Sequence, residues 1–552
     1  MSRLTERKVL SEKRYIAVDL GAESGRVMLG AVSDEKLHIQ EVHRFTNGPL
    51  EQDGSLRWDF ARMLSEIKTG IGKAAKEADN KIAGIGVDSW GVDFGLLDEN
   101  GKLAGMTLEG LREEHRYWLF DDFLPFMDKY VIDHELGGFM CTVDRDGTQI
   151  NSNKRTWYEG RGAWVYSYLY NKVKQDPKYI EIAQKSVDFI MKKNPLGKEF
   201  MPSGYTKEGK PLQNTPDPIF YGDMFVASGF QEFSKIKGNE KYWDMAKQIV
   251  LKCVDIYDNR PGYGDLPGGS RRRGMTRTGS GQGRPGQGAA RPGREGAAGA
   301  TGRPSRGSMQ EAAPDENMPG VERPRVMGHW MVLLNCTQMM LESHPDPELE
   351  AIADRSVKAV MDHHYNPDYG LLNENLNHDL SRITSDNYGQ ICTGHGLETL
   401  WMVLYDAIRR KDRALFDRAA GYLHRSAEVF WDDVYGGLLA GLNHVDQYIW
   451  SVGQKSEWLQ DEVLIGLLSV IEHTGAQWAK DWYNKLHTYV MEKFPLKQYG
   501  YPLWFAYADR KITFTEHYDR CEHFHHPRYL MQNMLALDRM IQRGGKISNA
   551  FA

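Results

Sequence analysis

Two hydrophobic patterns divide the chain near residue 105. Residues 14–105 alternate short apolar runs, such as RYIAVDLG and KIAGIGVDSWGVDFG, with the helical spacing of WDFARMLSEIKTGIGKAAKEA. Strand and helix signals that alternate in this way predict an α/β unit. From Met106 onward, apolar residues recur in roughly twelve helix-length segments joined by Gly- and Pro-containing turns. The second region is therefore predicted to be mainly α.

A short motif recurs between the predicted helices. It reads HELGGFMCTVDRDG, NPDYGLLNENLNHD, WDDVYGGLLAGLNHVD and YGYPLWFAYADRK, each a polar lead, a glycine turn and a short apolar strand. The spacing between copies is irregular, which excludes a solenoid of fixed period. The pattern favours helical hairpins closed into a ring with small β-hairpins at one rim. Twelve helices in such a ring form an (α/α)6 barrel.

An insertion is predicted at residues 268–325. Residues 268–308 consist largely of Gly, Arg and Pro with almost no large apolar side chain, so they cannot bury enough surface to fold alone. Arginine–glycine segments also bind RNA, but this one lacks the aromatic residues that stack on bases. We expect a disordered insertion and no nucleic-acid partner. The predicted domains are thus 1–105 and 106–552, the latter containing the insertion.

Composition narrows the functional classes. The chain has 552 residues, a net charge of −6 and 41% hydrophobic residues, which predicts a globular protein with no general attraction to nucleic acid. It has no apolar run of about 18 residues, so no membrane span is expected. The N-terminus carries charges where a signal peptide has an apolar core. Five scattered cysteines are typical of reduced thiols, which indicates a cytoplasmic protein.

The segment KRTWYEGRGAWVYSYLYN is the first with candidate chemistry. On a helix, Trp157, Arg161 and Trp164 share one face. An arginine between indoles is costly unless it meets a carboxylate or a polar ligand. A structural ion pair explains this segment equally well.

The segment CTGHGLETLWMVL places His395 and Glu398 on one helix face, three residues apart. A carboxylate beside an imidazole fixes its tautomer and raises its basicity. A buried histidine with satisfied hydrogen bonds is the simpler alternative. A metal pair is a further alternative, but no third ligand lies near in the sequence.

Two more polar segments precede predicted helices. QKSEWLQDEVLIGLL contains Trp458 and Glu462 in a stretch that could equally be a solvated face. CEHFHHPRYL contains His525 three residues before Arg528, and Pro527 marks a helix start. It also contains two further histidines, His523 and His526.

Taken together, and in this order, these segments resemble the N-acylglucosamine 2-epimerase family. The resemblance extends over residues 106–552 without the insertion and includes PIFYGDMFVASGFQEF, HWMVLLNCTQMML and NENL. It implies an (α/α)6 barrel that inverts C2 of N-acetylglucosamine and N-acetylmannosamine or of cellobiose-type disaccharides. Related members interconvert aldoses and ketoses.

The resemblance also implies a role for particular residues. His395 and His525 would be the acid–base pair that moves the C2 proton, with Arg161 on the O1 and O2 oxygens. Glu398 would orient His395. The expected substrate contacts are Tyr221, Trp157, Trp458, Glu462 and Asn335. No cofactor and no metal is expected, and a homodimer is the candidate assembly.

Several alternatives stay open at this point. The sequence around Arg161 is more similar to that of the N-acetylglucosamine type than to that of the cellobiose type, which favours a monosaccharide as the substrate. A cellobiose-type 2-epimerase or an aldose–ketose isomerase is the runner-up, and the sequence does not decide whether a nucleotide activates the enzyme. A glycoside hydrolase would need a carboxylic acid pair, for which Glu374, Glu398 and Asp223 are candidates. A non-catalytic binding protein is the last alternative.

The first 105 residues resemble a different family. IAVDLGAESGRVMLG, HRFTNGP and IGVDSWGVDFGLLDENGKL are similar to the start of rhamnulokinase, of the FGGY sugar kinases. This implies a partial actin-like ATPase (ribonuclease-H-like) lobe. The resemblance ends near Gly105, before the second lobe and the catalytic aspartate, so no kinase activity is expected. A truncated lobe is also expected to leave apolar faces of its sheet uncovered.

Overall fold

The computed structural model describes residues 13–21, 23–33, 36–52, 55–89, 96–97, 103–104, 107–144, 146–217, 219–260, 324–383, 391–443, 454–496, 501–502, 505–507, 510–511 and 523–551. The chain divides into two compact units, Met1–Gly105 and Met106–Ala552. Nearly all of the predicted insertion at 268–325 lies outside the described residues.

The first unit is a small α/β sheet structure. Its elements are β1 Lys13–Leu20, β2 Ser24–Ser33, β3 Lys36–Thr46, β4 Pro49–Gln52, β5 Ser55–Trp58, α1 Phe60–Glu77, β6 Gly84–Ser89, β7 Leu96–Leu97 and β8 Leu103–Ala104. The main sheet has the order β3-β2-β1-β6, with β1 and β6 parallel and the other pairs antiparallel. The predicted partial α/β lobe is therefore present.

Only part of this sheet is covered. Ile16, Val18 and Val27 alternate toward α1 and are buried there, and Gly70 lets α1 approach because any Cβ at Gly70 would lie 2.4 Å from Val27. On the opposite face, Leu37 and Ile39 are each 62% exposed, and their neighbours Tyr15 and Val32 are also exposed. The expected uncovered apolar surface is thus confirmed.

The second unit is the predicted ring of helices. In chain order the helices are α2 Leu108–Tyr117, α3 Leu124–Tyr130, α4 Thr156–Tyr168, α5 Pro177–Met191, α6 Tyr221–Ser234, α7 Lys241–Asn259, α8 Met327–Leu341, α9 Pro347–Lys358, α10 Gly394–Arg410, α11 Arg413–Phe430, α12 Glu457–Thr474, α13 Gln477–Lys493 and α14 His525–Gln542. Short π-helical segments follow three of them, at Trp118–Phe123, Leu169–Val173 and Ala359–His363. The even-numbered helices from α4 to α14 pack side by side as an inner layer, and the others surround them.

Sequence explains which helices are inside. The inner helices are buried nearly all round, whereas the outer helices carry one apolar face and one polar face. Some outer helices also begin with strong caps, such as Asp176 before Pro177 and Asp346 before Pro347. The ring closes where the start of α14 meets α4, through Phe524 and Trp164 with ring centroids 5.5 Å apart. The (α/α)6 barrel is therefore confirmed.

The recurring glycine motifs form short strand pairs. The strands of this unit are β9 Lys154–Arg155, β10 Gly204–Tyr205, β11 Arg325–Val326, β12 Tyr365–Asn366, β13 Leu371–Leu372, β14 Asn375–Leu376, β15 Ile391–Thr393, β16 Gly441–Asn443, β17 Gln454–Ser456, β18 Pro495–Leu496, β19 Tyr501–Pro502, β20 Phe505–Tyr507 and β21 Arg510–Lys511. Strands β9, β11, β15 and β17 each lead directly into an inner helix. The paired strands therefore lie at the rim where the inner helices begin.

In the described part of the chain, we find no helix with the length and apolar character needed to cross a membrane.

Candidate active site

The predicted site residues converge at the end of the barrel where the inner helices start. Trp157 and Trp458 are the second residues of α4 and α12, His395 is the second of α10, and Tyr221 and His525 open α6 and α14. Residues that are far apart in sequence are placed together because each inner helix contributes its first turns to the same rim. Asn335 lies deeper, in the ninth position of α8.

His525 is held by a buried carboxylate and a buried arginine. Its Nδ1 lies 2.8 Å from Oε1 of Glu462, the geometry of a charge-assisted hydrogen bond. Arg528 donates from one guanidinium nitrogen to both Glu462 (2.5 Å) and Glu398 (2.6 Å). All four side chains are buried. Because Nδ1 faces Glu462, Nε2 is the ring nitrogen that could exchange a proton with a substrate.

Glu462 is in an unusual electrostatic position. Burial raises its pKa strongly, and the neighbouring Glu398 raises it further, while Arg528 opposes both effects. Its second oxygen accepts a hydrogen bond of 2.6 Å from the indole Nε1 of Trp401. The carboxylate is thus fixed from three sides, so it holds the His525 ring in one orientation.

His395 is held by a different carboxylate from the one predicted. Its Nδ1 lies 2.9 Å from Oε1 of Glu374, which follows β13 at the rim, and Thr393 donates to the other oxygen of that carboxylate. The prediction that Glu398 orients His395 is wrong. Three residues further along α10, Glu398 reaches the barrel interior and pairs with Arg528 instead.

Trp458 lies beside both histidines. Its ring centroid is 5.9 Å from that of His395 and 5.5 Å from that of His525. Gly394 makes this position possible, since any Cβ there would lie 2.6 Å from the indole. The two histidines therefore lie beside the same indole, and both present Nδ1 to a glutamate.

Arg161 lies among aromatic rings at the same rim. Its guanidinium carbon is 4.1 Å from the ring centroid of Phe225, 4.8 Å from that of Phe524 and 5.2 Å from that of Trp157. The residue is only 5% exposed. Aromatic faces stabilise a cation without neutralising its charge.

Gly328 of α8 lies against Tyr221 and His395. A Cβ at Gly328 would lie 2.3 Å from the hydroxyl of Tyr221 and 3.3 Å from Nδ1 of His395. The absence of a side chain there thus lets the tyrosine and the histidine approach each other. Asn335 lies two helical turns further along the same face of α8, and among the described residues its buried Oδ1 has no hydrogen-bond partner.

The other two histidines of the HFHH segment contact different groups. His523 Nε2 lies 2.8 Å from the carbonyl oxygen of Tyr158, which joins the last inner helix to the first. His526 Nδ1 lies 2.9 Å from Asp461, which is on the stripe of α12 next to that of Trp458 and Glu462. Both therefore have structural partners other than the glutamates that hold His395 and His525.

Each of the three carboxylates considered for hydrolysis has a basic partner. Asp223 is 1% exposed and pairs with Lys252 at 2.5 Å, Glu374 faces His395, and Glu398 faces Arg528. Ligand atoms of Glu398, Glu462 and His525 also lie within 4.8 Å of one another, close enough for a metal ion. Arg528 donates to both carboxylates, so an ion pair accounts for their close approach, and the absence of a metal stays a prediction.

Three site residues were missed or misassigned from sequence. Glu374 was considered only for hydrolysis, although it lies in the NENL motif. Arg528 lies in FHHPR but was given no role. Trp401 is the third residue after GHGLE, and nothing in the sequence marks it as a site residue.

The comparisons with known proteins divide the chain in the same way. Residues 305–527 match the family model of N-acylglucosamine 2-epimerase (GlcNAc 2-epimerase). At the other end, the rhamnulokinase of Bacillus subtilis (strain 168) is 45% identical over 87 residues, which are 16% of this chain and 18% of that protein. The rhamnulokinase of Mannheimia succiniciproducens is 46% identical over 93 residues, 16% of this chain and 19% of that protein. The chain thus spans less than a fifth of the length of these curated relatives.

Solved structures share the barrel fold. Cellobiose 2-epimerase from Bacillus thermoamylovorans B4167 superposes with a TM-score of 0.58 at 14% identity, over 77% of this chain and 99% of that one. A sugar epimerase from a ruminal bacterium gives 0.59 at 16% identity, over 79% and 100%, and D-mannose isomerase gives 0.54 at 14% identity, over 79% and 98%. The resemblance to the N-acylglucosamine 2-epimerase family is therefore confirmed for the barrel, and the resemblance to rhamnulokinase is confirmed for the N-terminal segment.

Proposed function

We propose that the barrel is a sugar 2-epimerase that inverts the configuration at C2 of an aldose or N-acyl aldose. The observation that carries this proposal is the arrangement of His395 and His525. Both rings contact Trp458, and each places Nδ1 on its own glutamate. Two equivalent bases beside one indole suit a reaction that takes a proton from one face of a carbon and returns a proton to the other.

Inversion at C2 explains why two histidines would be used. In the open-chain sugar, the C2 proton lies next to the aldehyde and is only weakly acidic. One imidazole Nε2 takes this proton, the C–H electrons form the enediolate, and the other imidazolium gives a proton to the opposite face of C2. Histidine suits both roles because it changes protonation near neutral pH. No redox change and no co-substrate is involved.

The developing enediolate needs positive charge near O1 and O2. Arg161, which aromatic rings support from several sides, is the proposed partner of these oxygens, with Tyr221 as a hydroxyl donor. The N-termini of the inner helices point to the same rim, and their partial positive charges favour an anion there. Trp157, Trp458, Glu462 and Asn335 stay predicted substrate contacts.

An aldose–ketose isomerase is the second candidate, because it needs the same proton abstraction at C2 followed by return to C1. The barrel shares its fold with D-mannose isomerase, and we therefore keep this candidate. We propose a monosaccharide substrate rather than cellobiose, because the sequence around Arg161 is more similar to that of the N-acetylglucosamine type. For the whole chain, a homodimer and a cytoplasmic location stay proposals, and no kinase activity is proposed for residues 1–105.

Proton NMR in D2O tests the proposal with purified protein and N-acetylglucosamine, N-acetylmannosamine, mannose, glucose, rhamnose and cellobiose in turn. We expect deuterium at C2 together with the C2 epimer of one of these sugars. A ketose product would move the enzyme to the isomerase class. A folded protein that exchanges no C2 proton in any of the six sugars would contradict the proposal.

A further inference from the structure

The residue after His525 is held by a second set of charges that the proposed reaction does not use. His526 Nδ1 lies 2.9 Å from Oδ2 of Asp461 and 3.1 Å from Oε1 of Glu457. Both carboxylates are completely buried, and His526 is 4% exposed. Its ring packs on Phe123 of the outer layer, with centroids 5.4 Å apart. The cluster therefore lies behind the site, between the inner and outer layers.

The two neighbouring histidines fix the register between α12 and α14. On α12, Glu457 and Asp461 are one turn apart and form one stripe, and Trp458 and Glu462 form the adjacent stripe. His525 contacts the Trp458–Glu462 stripe, and the next residue contacts the other. A slip or rotation of one helix against the other would break both sets of contacts together.

The charge on His526 follows from its partners. Burial favours the neutral ring, but Glu457 and Asp461 together raise the pKa of His526 to about 10. Burial also raises the pKa of Asp461, while His526 opposes that rise. At neutral pH the ring is therefore a cation, which cannot act as a base and instead compensates two buried carboxylates.

Other titratable groups face the cluster from the neighbouring helices. His115 on α2 stays neutral because burial, with the charge of His487 adding to it, lowers its pKa to about 3. His487 on α13 lies 3.2 Å from Glu114 of α2, and on α14 itself the ring of Tyr529 is 6.1 Å from that of His526. None of these groups replaces Glu457 or Asp461 as the partner of His526.

We propose that His526, with Glu457 and Asp461, is a positioning residue for the acid–base pair. This ion cluster ties the first turn of α14 to α12, and it thereby keeps His525 on Glu462 and beside Trp458. The inference rests on the proposed function, since the orientation of His525 matters only if it transfers a proton. His526 itself does not touch the substrate.

Asp461→Asn gives the sharpest test, because it removes one negative charge and keeps the shape of the side chain. With one carboxylate left, His526 loses its proton at lower pH. We expect the alkaline limb of the kcat profile for C2 exchange to move down by a pH unit or more, with KM nearly unchanged. Asp538→Asn, a half-exposed aspartate of the same helix that pairs with Arg112, is the matched control and should leave the profile unchanged. His526→Gln should lower kcat about tenfold or more at every pH.

The ring itself gives a readout that does not depend on activity. In protein with isotope-labelled histidine, NMR should show His526 still protonated at pH 8, and Asp461→Asn should shift its titration to lower pH. Circular dichroism at each pH confirms that the variants are folded. Identical kcat profiles for Asp461→Asn and Asp538→Asn, or full kcat in His526→Gln, would overturn the inference. A protonated His526 in a protein that exchanges no sugar proton would overturn the proposed function alone.

Discussion

The described parts of residues 132–161 and 431–462 build the same rim structure twice, with different chemistry at the end. In the first repeat, Lys154 Nζ lies 2.8 Å from Oδ2 of Asp133. In the second, Lys455 Nζ lies 2.8 Å from Oδ2 of Asp432. The other oxygen of each aspartate accepts two backbone N–H groups of its own turn. The ion pair thus fastens each hairpin to the strand that leads into the next inner helix.

The similarity continues into the helices. Oε1 of Glu159 accepts a hydrogen bond of 2.9 Å from the backbone N–H of Phe139, and Oε1 of Gln460 accepts one of 2.8 Å from Leu438. Two successive glycines with φ between +76° and +89° form the turn in each repeat, a region that only glycine adopts easily. A glutamate and a glutamine can therefore perform the same task.

The repeats differ seven residues after the lysine. The first has Arg161 among aromatic rings, and the second has Glu462, which holds His525. The scaffold residues are thus kept in both repeats, and the chemistry is placed on the neighbouring helix face that points into the barrel. Variants at scaffold positions should change stability, and variants at these two positions should change turnover.

The largest effect on stability is expected when the lysine–aspartate ion pair of a rim repeat is broken. Each of the two repeats has one such pair, so each can be tested. Lys154→Met leaves Asp133 buried with an uncompensated charge, which costs about 3–5 kcal/mol of unfolding free energy. Lys455→Met should cost less, because Asp432 is 15% exposed in side chain and partly solvated. Urea denaturation of both variants measures this. Equal stability of wild type and Lys154→Met would contradict the scaffold assignment.

Replacing Arg161 should affect turnover with little effect on folding. Arg161→Met keeps the apolar stem but removes the charge proposed to face O1 and O2, so kcat/KM should fall about 10²–10³-fold. Arg155→Met, six residues earlier in β9 at the rim, is the matched control and should retain most activity. Initial rates of C2 exchange give the comparison. A control variant as impaired as Arg161→Met would mean that rim charge in general, and not Arg161, supports the reaction.

Giving the first repeat the glutamine of the second, by Glu159→Gln, should raise the free energy of unfolding at mildly alkaline pH. Burial raises the pKa of Glu159 to about 7, against opposing hydrogen bonds from Phe139 and Ser186. A carboxyl group with a raised folded-state pKa contributes stability below its unfolded pKa and loses it as pH rises through about 7. Glu159→Gln should therefore be more stable than wild type at pH 8, by roughly 1–3 kcal/mol, and the gain should vanish near pH 4. Thermal unfolding at both pH values measures the difference, and a gain that does not depend on pH would contradict it.

The sequence predicted the architecture because the barrel depends on local patterns. Helical periodicity, glycine turns and proline starts are read within a single segment, and they were sufficient for the ring, its rim hairpins and the α/β fragment. The site residues were found because the motifs lie at the starts of inner helices. Sequence spacing alone does not show that these starts meet.

The partners of the histidines were harder to predict because they are tertiary. His395 and Glu374 are separated by 21 residues and His525 and Glu462 by 63, and helix spacing favoured the nearer Glu398 in the first case. That carboxylate points to Arg528, 130 residues away. Spacing identifies residues that share a helix face, but it does not show which neighbouring element they meet.

Separate removal of the two histidines tests the central claim most directly. His395→Asn and His525→Asn are incubated with each C2 epimer in D2O, and proton NMR follows deuterium at C2 and the other epimer. We predict that each variant loses epimerisation by 10²-fold or more, and that each still exchanges the C2 proton of one epimer, a different epimer for each variant. Retention of epimerisation by either folded variant, or exchange of the same single epimer by both, would contradict a reaction that uses two opposed histidines.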